Sequence, residues 1–289
     1  MMYAFYPGCL SQTEMFSCLS SAREVLHKLG VGLQTMDGSS CCGYQSYRLS
    51  SPVTWKYLTA RNLALAEKLG LDILTNCNDC YLSFMKVGKA LSEDPHLKEI
   101  VDDTLKLEGL EYNAKTEVYH IAEVLHDKIG VKRISETVVK PLEGFRFATQ
   151  PGCHLFRPKE LPMPDVAEPH KLDDLVEALG AETSDYPHKL DCCGSPMQAS
   201  DEEASLRVAD RKLLSVKEGG FDGIVTICPH CFRMLDARQG SIDVASGGEG
   251  LRVPVIHYTQ LLGLAMGFSP ARLGLQFNMS PVGDIIDRI

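Results

Sequence analysis

The chain has 289 residues, of which 44% are hydrophobic and 23% charged, a balance typical of a globular protein with a sizeable core. Its formal net charge of -9 argues against binding to nucleic acid or to an anionic membrane surface, since both need a basic face. No apolar run approaches the roughly 20 residues that cross a bilayer, and the N-terminus lacks the features of a secretory signal. We therefore expect a cytoplasmic protein without a membrane span.

In the first half of the chain, predicted helices and strands alternate with loops that carry cysteines. An early helix has an apolar stripe that includes Cys18, so we expect this cysteine to pack in the core. Ser51 and Pro52 predict the start of a second helix, which ends at Gly70. The predicted buried stripe of that helix consists of Trp55, Leu58, Leu65 and Leu69. A β-rich run at 73–75 follows it.

The second half repeats this order. Ser200 and Glu203 fit a capping box, and the helix after them is predicted to stop at 219–220. Its predicted buried stripe consists of Leu206, Ala209, Leu213 and Val216. A β-rich run at 224–226 follows, and each such run leads into a CxxC motif. Ligand sites collect at strand ends in open α/β sheets, so we predict an α/β fold with a small sheet flanked by helices in each half and cysteine-bearing loops at one edge.

Ten of the eleven cysteines form two sets of five, each with a single cysteine, a Cys-Cys-Gly triplet and a CxxC motif in that order. The first quintet is Cys9, Cys41, Cys42, Cys77 and Cys80. The second quintet is Cys153, Cys192, Cys193, Cys228 and Cys231. In both quintets, 33 residues separate the glycine of the triplet from the CxxC motif. In a reducing cytoplasm, such cysteines indicate metal ligands or redox groups rather than disulfides.

The duplication includes residues other than cysteine. Each quintet begins with the sequence Pro-Gly-Cys, and a histidine follows a short apolar run at positions 120 and 257. The offset between the halves is 144 residues at the first cysteine and 151 at the other four, which places an insertion near the proline-rich stretch 161–165. Repeats of this length indicate two similar domains. We expect these pseudo-symmetric domains to occupy residues 1–142 and 143–289.

The number of cysteines discriminates between kinds of site. A CxxC motif alone is shared by zinc, iron–sulfur and thioredoxin-like sites. A thioredoxin-like site would leave three cysteines of each quintet without a role, and a structural zinc site or a cubane cluster needs four ligands. Either one cysteine per half is spare, or each half holds a larger or unusual cluster. Because the surplus is present twice, we favour the second interpretation, and Gly43 and Gly194 fit a close approach of the backbone to such a cluster.

These motifs resemble the two CCG domains in the family of heterodisulfide reductase B subunits. The resemblance covers nearly the whole chain and includes the sequence PGCH at 151–154 and the segment 260–267. Components of lactate, glycolate, glycerol-3-phosphate and unusual succinate oxidoreductases carry similar motifs, so the doubled motif is more specific for a CCG protein than for one member. Some of those relatives lack cysteines in one motif. Both quintets are complete here, which favours two working centres.

The resemblance implies that each quintet holds one noncubane [4Fe-4S] cluster through all five of its cysteines. It also implies that the heterodisulfide of coenzyme M and coenzyme B binds between the two clusters and is reduced to two thiols, with one electron from each side. The electrons would come from a flavin-containing subunit through a small ferredoxin-like subunit of the same reductase complex. A hydrogenase or a formate dehydrogenase is a candidate partner beyond those two.

Several residues outside the quintets have competing interpretations. His154 follows a ligand cysteine and is a candidate catalytic proton donor to a leaving thiolate, with a structural role as the alternative. The repeated His120 and His257 favour a scaffold role. His230 lies within the second CxxC where the first has Asp79, so we do not expect a shared ligand role. The cations near the motifs that are candidates for binding an anionic substrate are Arg48, Arg157, Lys159, Arg207 and Arg211.

Three functions remain open at this point. The first is a catalytic iron–sulfur oxidoreductase subunit that reduces the heterodisulfide or another disulfide, such as one on a sulfur-carrier protein. The second is an electron-relay subunit that binds no small substrate, and the third is a protein with structural zinc. Iron and acid-labile sulfide contents separate zinc from the other two. An effect of the heterodisulfide on the EPR spectrum of the oxidised clusters would separate a catalyst from a relay.

Overall fold

The computed structural model describes residues 1–157, 169–248 and 250–289. These residues form two parallel four-stranded sheets with the orders β2-β1-β3-β4 and β6-β5-β7-β8. The strands of the first sheet are β1 (Met2–Tyr6), β2 (Gly32–Thr35), β3 (Ile73–Thr75) and β4 (Val118–His120). The strands of the second sheet are β5 (Arg146–Gln150), β6 (Glu182–Thr183), β7 (Gly223–Thr226) and β8 (Val255–His257). The two sheets have equivalent topologies, which confirms the predicted duplicated α/β fold.

Helices cover both sheets and carry the loops that lead to the cysteines. In the first half they are α1 (Gly8–Thr13), α2 (Phe16–Lys28), α3 (Tyr44–Tyr47), α4 (Pro52–Leu69), α5 (Asn78–Glu93), α6 (Pro95–Lys106), α7 (Ile121–Glu123), which continues as a π-helix (Val124–Gly130), and α8 (Val131–Ser135). In the second half they are α9 (Cys153–Phe156), α10 (Lys171–Glu177), a 3-10 helix (Ser195–Met197), α11 (Glu202–Glu218), α12 (Pro229–Phe232), which continues as a π-helix (Arg233–Ala237), α13 (Gln239–Ala245), α14 (Tyr258–Ala265), a 3-10 helix (Leu275–Phe277) and α15 (Gly283–Arg288).

Neighbouring strands of each sheet end at the same edge. Thr75 at the end of β3 pairs with His120 at the end of β4, and Thr226 pairs with His257 in the same way. Because the strands are parallel, the loops that follow β1 and β3, and those that follow β5 and β7, leave their sheets at the carboxyl edge. Each CxxC motif begins two residues after its strand ends, as the sequence predicts.

Helix α4 has the predicted ends but not the whole predicted buried face. It begins at Pro52 and is closed by Gly70, whose φ is +65°. Trp55 is buried as predicted, whereas Leu69 is 42% exposed and Leu58 and Leu65 are half-buried. Buried positions of α4 instead include Thr59, Asn62, Leu63 and Ala66. The polar members of that face bond to the loop that holds the first Cys-Cys pair, which explains why an apolar stripe did not identify it.

The capping box predicted at the start of α11 is wrong. Asp201 is the N-cap, and its Oδ1 accepts a hydrogen bond of 2.9 Å from the Ala204 N–H. The Ser200 hydroxyl instead donates to the carbonyl oxygen of Met197. Serine and aspartate cap helices about equally well, so adjacent candidates compete and the tertiary context selects one. Of the predicted stripe, Ala209, Leu213 and Val216 are buried and Leu206 is half-buried.

The two halves pack against each other through one shared hydrophobic core. Helix α2 of the first half contacts α14 of the second, and 2.6 Å separates Ser21 Oγ from Thr259 Oγ1. Asn78 at the start of α5 donates to the carbonyl oxygen of Pro151, which precedes the second quintet. These contacts bring the carboxyl edges of both sheets together. The division of the chain at residue 142 stays a prediction.

Two further predictions concern the chain outside the sheets. The proline-rich insertion at 161–165 lies outside the described residues. Among the residues that are described, no helix combines the length and the hydrophobicity that a membrane span requires.

Candidate metal centre

Each quintet is assembled from three loops at the carboxyl edge of its sheet. In the first half, Cys9 lies in α1 directly after β1, and Cys41 and Cys42 lie in the loop before α3. Cys77 is the N-cap of α5, which places Cys80 in the first turn of that helix. The second quintet uses equivalent positions: Cys153 starts α9, Cys192 and Cys193 precede a 3-10 helix, and Cys228 and Cys231 begin α12.

The sulfur atoms of each quintet form a series of neighbours. In the first quintet, 3.4 Å separates Cys9 Sγ from Cys41 Sγ. Cys41 also interacts with Cys42, Cys42 with Cys80, and Cys80 with Cys77. The second quintet follows the same order, namely Cys153, Cys192, Cys193, Cys231 and Cys228.

The two series meet where the halves of the chain pack together. The side chains of Cys77 and Cys228 interact across that interface, and this interaction raises the pKa of Cys77 and lowers that of Cys228. The structure therefore brings all ten cysteines of the quintets into one row, with Cys9 at one end and Cys153 at the other. Cys18 does not join the row and is fully buried among core side chains, as predicted.

In each half, the first cysteine of the Cys-Cys pair is held as a thiolate by its neighbours. Hydrogen bonds from the thiols of Cys42 and Cys9 lower the pKa of Cys41 to about 2 despite its partial burial. The Gly43 N–H adds a contact of 3.4 Å to the same sulfur. In the second half, the thiols of Cys153 and Cys193, together with the Gly194 N–H, lower the pKa of Cys192 to about 2. The glycine of each triplet thus supplies a donor to the first cysteine of its pair.

Two further glycines bring the backbone close to the sulfurs. Gly8 and Gly152 have φ values of +77° and +83°, which side chains rarely allow. A Cβ atom at Gly8 would lie 3.0 Å from Cys80 Sγ, closer than ordinary van der Waals contact. A Cβ atom at Gly152 would lie 2.3 Å from Asn78 Nδ2 and 3.6 Å from Cys231 Sγ. The glycine of each Pro-Gly-Cys sequence therefore allows the backbone to lie close to side chains of the loops that carry other cysteines.

Asp79 connects the two halves at the centre of the site, a role that the sequence alone did not reveal. Its side chain is 5% exposed, and 2.5 Å separates its Oδ1 from Nδ1 of His154 in the other half. Gln45 donates to its Oδ2, and Nε2 of His230 lies 3.6 Å from the same atom. The pseudo-symmetry of the chain makes Asp79 and His230 equivalent, so the interface brings the middle positions of the two CxxC motifs together. The available sequence signal was that the third position of the CxxC motif is an acid in the first half and a histidine in the second.

His154 is half-buried and directly follows Cys153, which is one end of the cysteine row. Burial lowers its pKa, but the hydrogen bond and charge of Asp79 outweigh that effect and leave the pKa raised. The ring packs edge-to-face on Tyr44, with 5.1 Å between ring centroids. Arg48 covers the same tyrosine at 5.0 Å, and its buried Nε has no hydrogen-bond partner among the described residues. Four cysteines of the row are partly exposed, namely Cys9, Cys41, Cys153 and Cys192.

The remaining candidate cations are placed differently. Arg157 donates to the carbonyl oxygen of Leu190. Arg207 is exposed and pairs with Glu203 on the same helix, and Arg211 is also exposed. Lys159 lies outside the described residues. Of the predicted set, Arg48 is the described cation that adjoins the His154 and Asp79 pair through Tyr44.

The repeated histidines are helix caps. Nδ1 of His120 accepts a hydrogen bond from the Ala122 N–H, and Nδ1 of His257 lies 3.4 Å from the Thr259 N–H. Burial lowers the pKa of both imidazoles, to about 3 for His120 and about 4 for His257. Both rings are therefore neutral at physiological pH, which agrees with the scaffold role favoured above.

The donor set fits a thiolate-bound iron–sulfur group in each half. Within the described part of the chain, no three His, Cys, Asp or Glu side chains come together in a way that could hold a single metal ion. A group with several metal atoms and sulfur ligands suits this arrangement better than one zinc ion.

Comparison with solved structures supports the fold. A crystal structure of a hypothetical protein from Helicobacter pylori superimposes with a TM-score of 0.79 at 18% sequence identity. The match covers 98% of this chain and 52% of the other chain.

Comparison with known sequences identifies the family. The family model of the cysteine-rich domain (CCG) matches residues 3–85 and 147–236, which contain both quintets. The B subunit of the ferredoxin/F420H2-dependent CoB-CoM heterodisulfide reductase of Methanosarcina acetivorans is 35% identical over 95% of this chain and 92% of its own length. A protein of Archaeoglobus profundus that is named as like the heterodisulfide reductase B subunit is 33% identical over 99% of this chain and 97% of its own length. The 8-methylmenaquinol:fumarate reductase membrane anchor subunit of Wolinella succinogenes is 31% identical over 96% of each chain. The chain therefore belongs to the cysteine-rich CCG domain family and is related to the B subunit of heterodisulfide reductase.

Proposed function

We propose that this protein is the catalytic iron–sulfur subunit of a heterodisulfide reductase complex. The observation that carries this proposal is the row of ten sulfurs that crosses the interface, with Cys77 beside Cys228. Two one-electron centres side by side can each serve one sulfur of a substrate disulfide. Cleavage of the S–S bond then consumes two electrons and two protons and yields two thiols, without release of a free thiyl radical. The relationship to heterodisulfide reductase B proteins supports this reaction class.

The cofactors proposed are two noncubane [4Fe-4S] clusters. The first would be held by Cys9, Cys41, Cys42, Cys77 and Cys80, and the second by Cys153, Cys192, Cys193, Cys228 and Cys231. When bound, the clusters supply the two one-electron redox steps that thiols alone do not provide. The completeness of both quintets and the equivalent surroundings of the two Cys-Cys-Gly triplets support a cluster in each half.

His154 is the proposed proton donor to a leaving thiolate. Its Nδ1 faces the Asp79 carboxylate, so Nδ1 carries a proton and donates to Oδ1. The other ring nitrogen, Nε2, is then the atom that would pass a proton to sulfur. Asp79 is a positioning residue in this scheme, because it fixes the ring orientation from the opposite half of the chain.

Arg48 is the proposed contact for an anionic group of the substrate. The heterodisulfide of coenzyme M and coenzyme B carries sulfonate, carboxylate and phosphate groups, which guanidinium groups bind well. Arg48 makes no ion pair within the described residues and lies against Tyr44, which in turn contacts His154. A substrate held there would place its disulfide near the partly exposed cysteines.

The partners proposed are those of a heterodisulfide reductase complex. A small ferredoxin-like subunit would pass electrons from a flavin-containing subunit, with a hydrogenase or a formate dehydrogenase further away. The location proposed for the assembly is the cytoplasm. The acidic net charge of -9 and the lack of a spanning helix among the described residues agree with that location.

An electron-relay function is the second candidate. It is favoured by the 31% identity to a fumarate reductase subunit, because the two chains match over 96% of both lengths. Relay and catalysis use the same centres and differ in whether a disulfide binds between them. Reduction of another disulfide, such as one on a sulfur-carrier protein, is a variant of the first function.

The two functions are separated by adding the heterodisulfide to anaerobically purified, iron-loaded protein after oxidation. The catalytic function predicts a changed EPR spectrum and release of two thiols when a reduced viologen supplies electrons. The Cys193→Ala variant is the matched control and should release no thiols. An unchanged spectrum without thiol formation in the wild-type protein would favour the relay. The same test with other disulfides would then show whether the protein reduces one of them instead.

A further inference from the structure

Lys212 is a buried cation whose hydrogen-bond partners are neutral. It lies on α11 and is 0% exposed. Its Nζ donates to the carbonyl oxygens of His188 and Lys189 and lies 5.6 Å from the ring centroid of Tyr186. No carboxylate of the described residues forms an ion pair with it. Because a buried charge without an opposite charge is strongly unfavourable, an anionic group is expected nearby.

The electrostatic surroundings of Lys212 point to the second quintet as that anionic group. Burial lowers the pKa of Lys212 to about 8, and the charges of Cys193, Cys231 and Asp191, in that order, oppose this effect when those groups are ionised, as cysteines that bind a metal are. The two carbonyl oxygens that Nζ contacts belong to the loop that leads into the second Cys-Cys pair. The ammonium group therefore lies against the loop that leads into the second Cys-Cys pair and is shielded from solvent.

The first half has a cation at the equivalent position, but its charge is neutralised. Arg61 on α4 is 151 residues before Lys212, and its Nη1 donates to the carbonyl oxygen of Gly38 at 2.7 Å. Gly38 is in turn equivalent to Lys189, so each cation donates to the carbonyl oxygen at the equivalent position of its own half. Unlike Lys212, Arg61 is partly exposed and pairs with Glu108, with 2.7 Å between Nε and Oε2.

We propose that Lys212 is a positioning residue that raises the reduction potential of the second centre above that of the first. Reduction adds negative charge to a centre, and a fixed cation in a poorly solvated place stabilises that charge. The carboxylate of Glu108 cancels the corresponding effect in the first half. Electrons that enter the protein would then collect at the second quintet before the substrate disulfide is cleaved. The proposal rests on the iron–sulfur centres of the proposed function.

The test is an EPR-monitored redox titration of anaerobically purified, iron-loaded protein, with iron and sulfide measured for each variant. Lys212→Gln removes the charge and keeps a donor for the loop carbonyls. One of the two midpoint potentials is expected to fall by about 59 mV, which corresponds to a tenfold change in the one-electron redox equilibrium. The other midpoint potential should stay unchanged. The matched control is Arg211→Gln, which removes an exposed charge from the adjacent position of the same helix and should shift neither potential.

A second variant keeps the proposal testable if Lys212→Gln fails to hold its clusters. Glu108→Gln leaves Arg61 unpaired at the surface and should raise the other midpoint potential by a smaller amount. Fully loaded Lys212→Gln protein with unchanged potentials, or an equal shift in Arg211→Gln, would overturn the proposal, as would an unchanged potential in Glu108→Gln. A wild-type protein without iron would instead refute the proposed function itself.

Discussion

Asp79 and His154 belong to different halves of the chain and meet at the interface, with 2.5 Å between the carboxylate Oδ1 and the imidazole Nδ1. Asp79→Asn should weaken this contact and release the ring orientation that it imposes. We expect the kcat of disulfide reduction to fall about 10- to 100-fold while KM and iron content change little. The measurement is viologen-dependent thiol release at several substrate concentrations.

Asp127→Asn is the control for that variant. Asp127 also contacts a histidine, His126, but at a more exposed position away from the cysteine row. This control should keep wild-type kcat. Full activity in Asp79→Asn would contradict the role given to Asp79.

Loss of one cysteine from either Cys-Cys pair should stop turnover. Cys42→Ala removes a ligand of the first centre and Cys193→Ala a ligand of the second, and one intact centre cannot complete a two-sided cleavage. Each variant should also contain less iron than the wild type. Cys18→Ala is the matched control, because Cys18 is buried outside the row and its loss should cost about 1 kcal/mol of stability without loss of turnover. Retained turnover in either of the first two variants counts against paired catalysis.

Gly152→Ala should destabilise the interface between the halves. The added Cβ would lie 2.3 Å from Asn78 Nδ2, which donates to the carbonyl oxygen of Pro151, and φ at this glycine is +83°. Gly220→Ala is the control, since φ there is +65° but no atom lies within 4 Å of the added Cβ. A left-handed conformation costs a residue with a side chain about 1 kcal/mol. Gly152 has a ψ of +120°, outside the left-handed helical region, so its strain is at least as large, and loss of the hydrogen bond adds about 1 kcal/mol. Urea unfolding should therefore show at least twice the loss for Gly152→Ala, and equal losses would be inconsistent with the contact described.

Glu123→Gln should stabilise the protein near neutral pH. Burial raises the pKa of Glu123 above its usual 4.5, although Glu123 accepts hydrogen bonds from the His120 N–H and the Tyr81 hydroxyl. The folded state thus binds this proton more tightly than the unfolded state, so wild-type stability decreases as pH rises from about 4.5 through the folded pKa. The second half already uses glutamine here, because Gln260 accepts from the His257 N–H.

The stability difference between Glu123→Gln and the wild type should therefore grow as pH rises from 5 to 8. Urea unfolding at several pH values measures it. A variant that is less stable than the wild type at pH 8 would show that the carboxylate contributes more than its burial costs.

Local sequence signals were sufficient where a feature depends on neighbouring residues. Pro52 and Gly70 predict the ends of α4, and the β-rich runs at 73–75 and 224–226 predict the central strands that lead into each CxxC. The duplicated spacing also predicts two equivalent sheets. These features follow from proline geometry, helix closure by glycine and the repeat itself.

Features that depend on packing between the halves were not predictable from one sequence. The contacts of Asp79 with His154 and of Cys77 with Cys228 arise because the two carboxyl edges face each other. The polar residue Asn62 is buried on α4 because it bonds to the cysteine loop, which a hydrophobic stripe cannot reveal. Lysine is rarely buried, so nothing local marks Lys212 as a core residue.

The proposed function requires that each quintet holds one iron–sulfur cluster. The most direct measurement is the content of iron, acid-labile sulfide and zinc in protein purified without oxygen. We expect about eight iron and about eight sulfide ions per chain, as two four-iron clusters require, with no stoichiometric zinc. Stoichiometric zinc without iron and sulfide would contradict the claim.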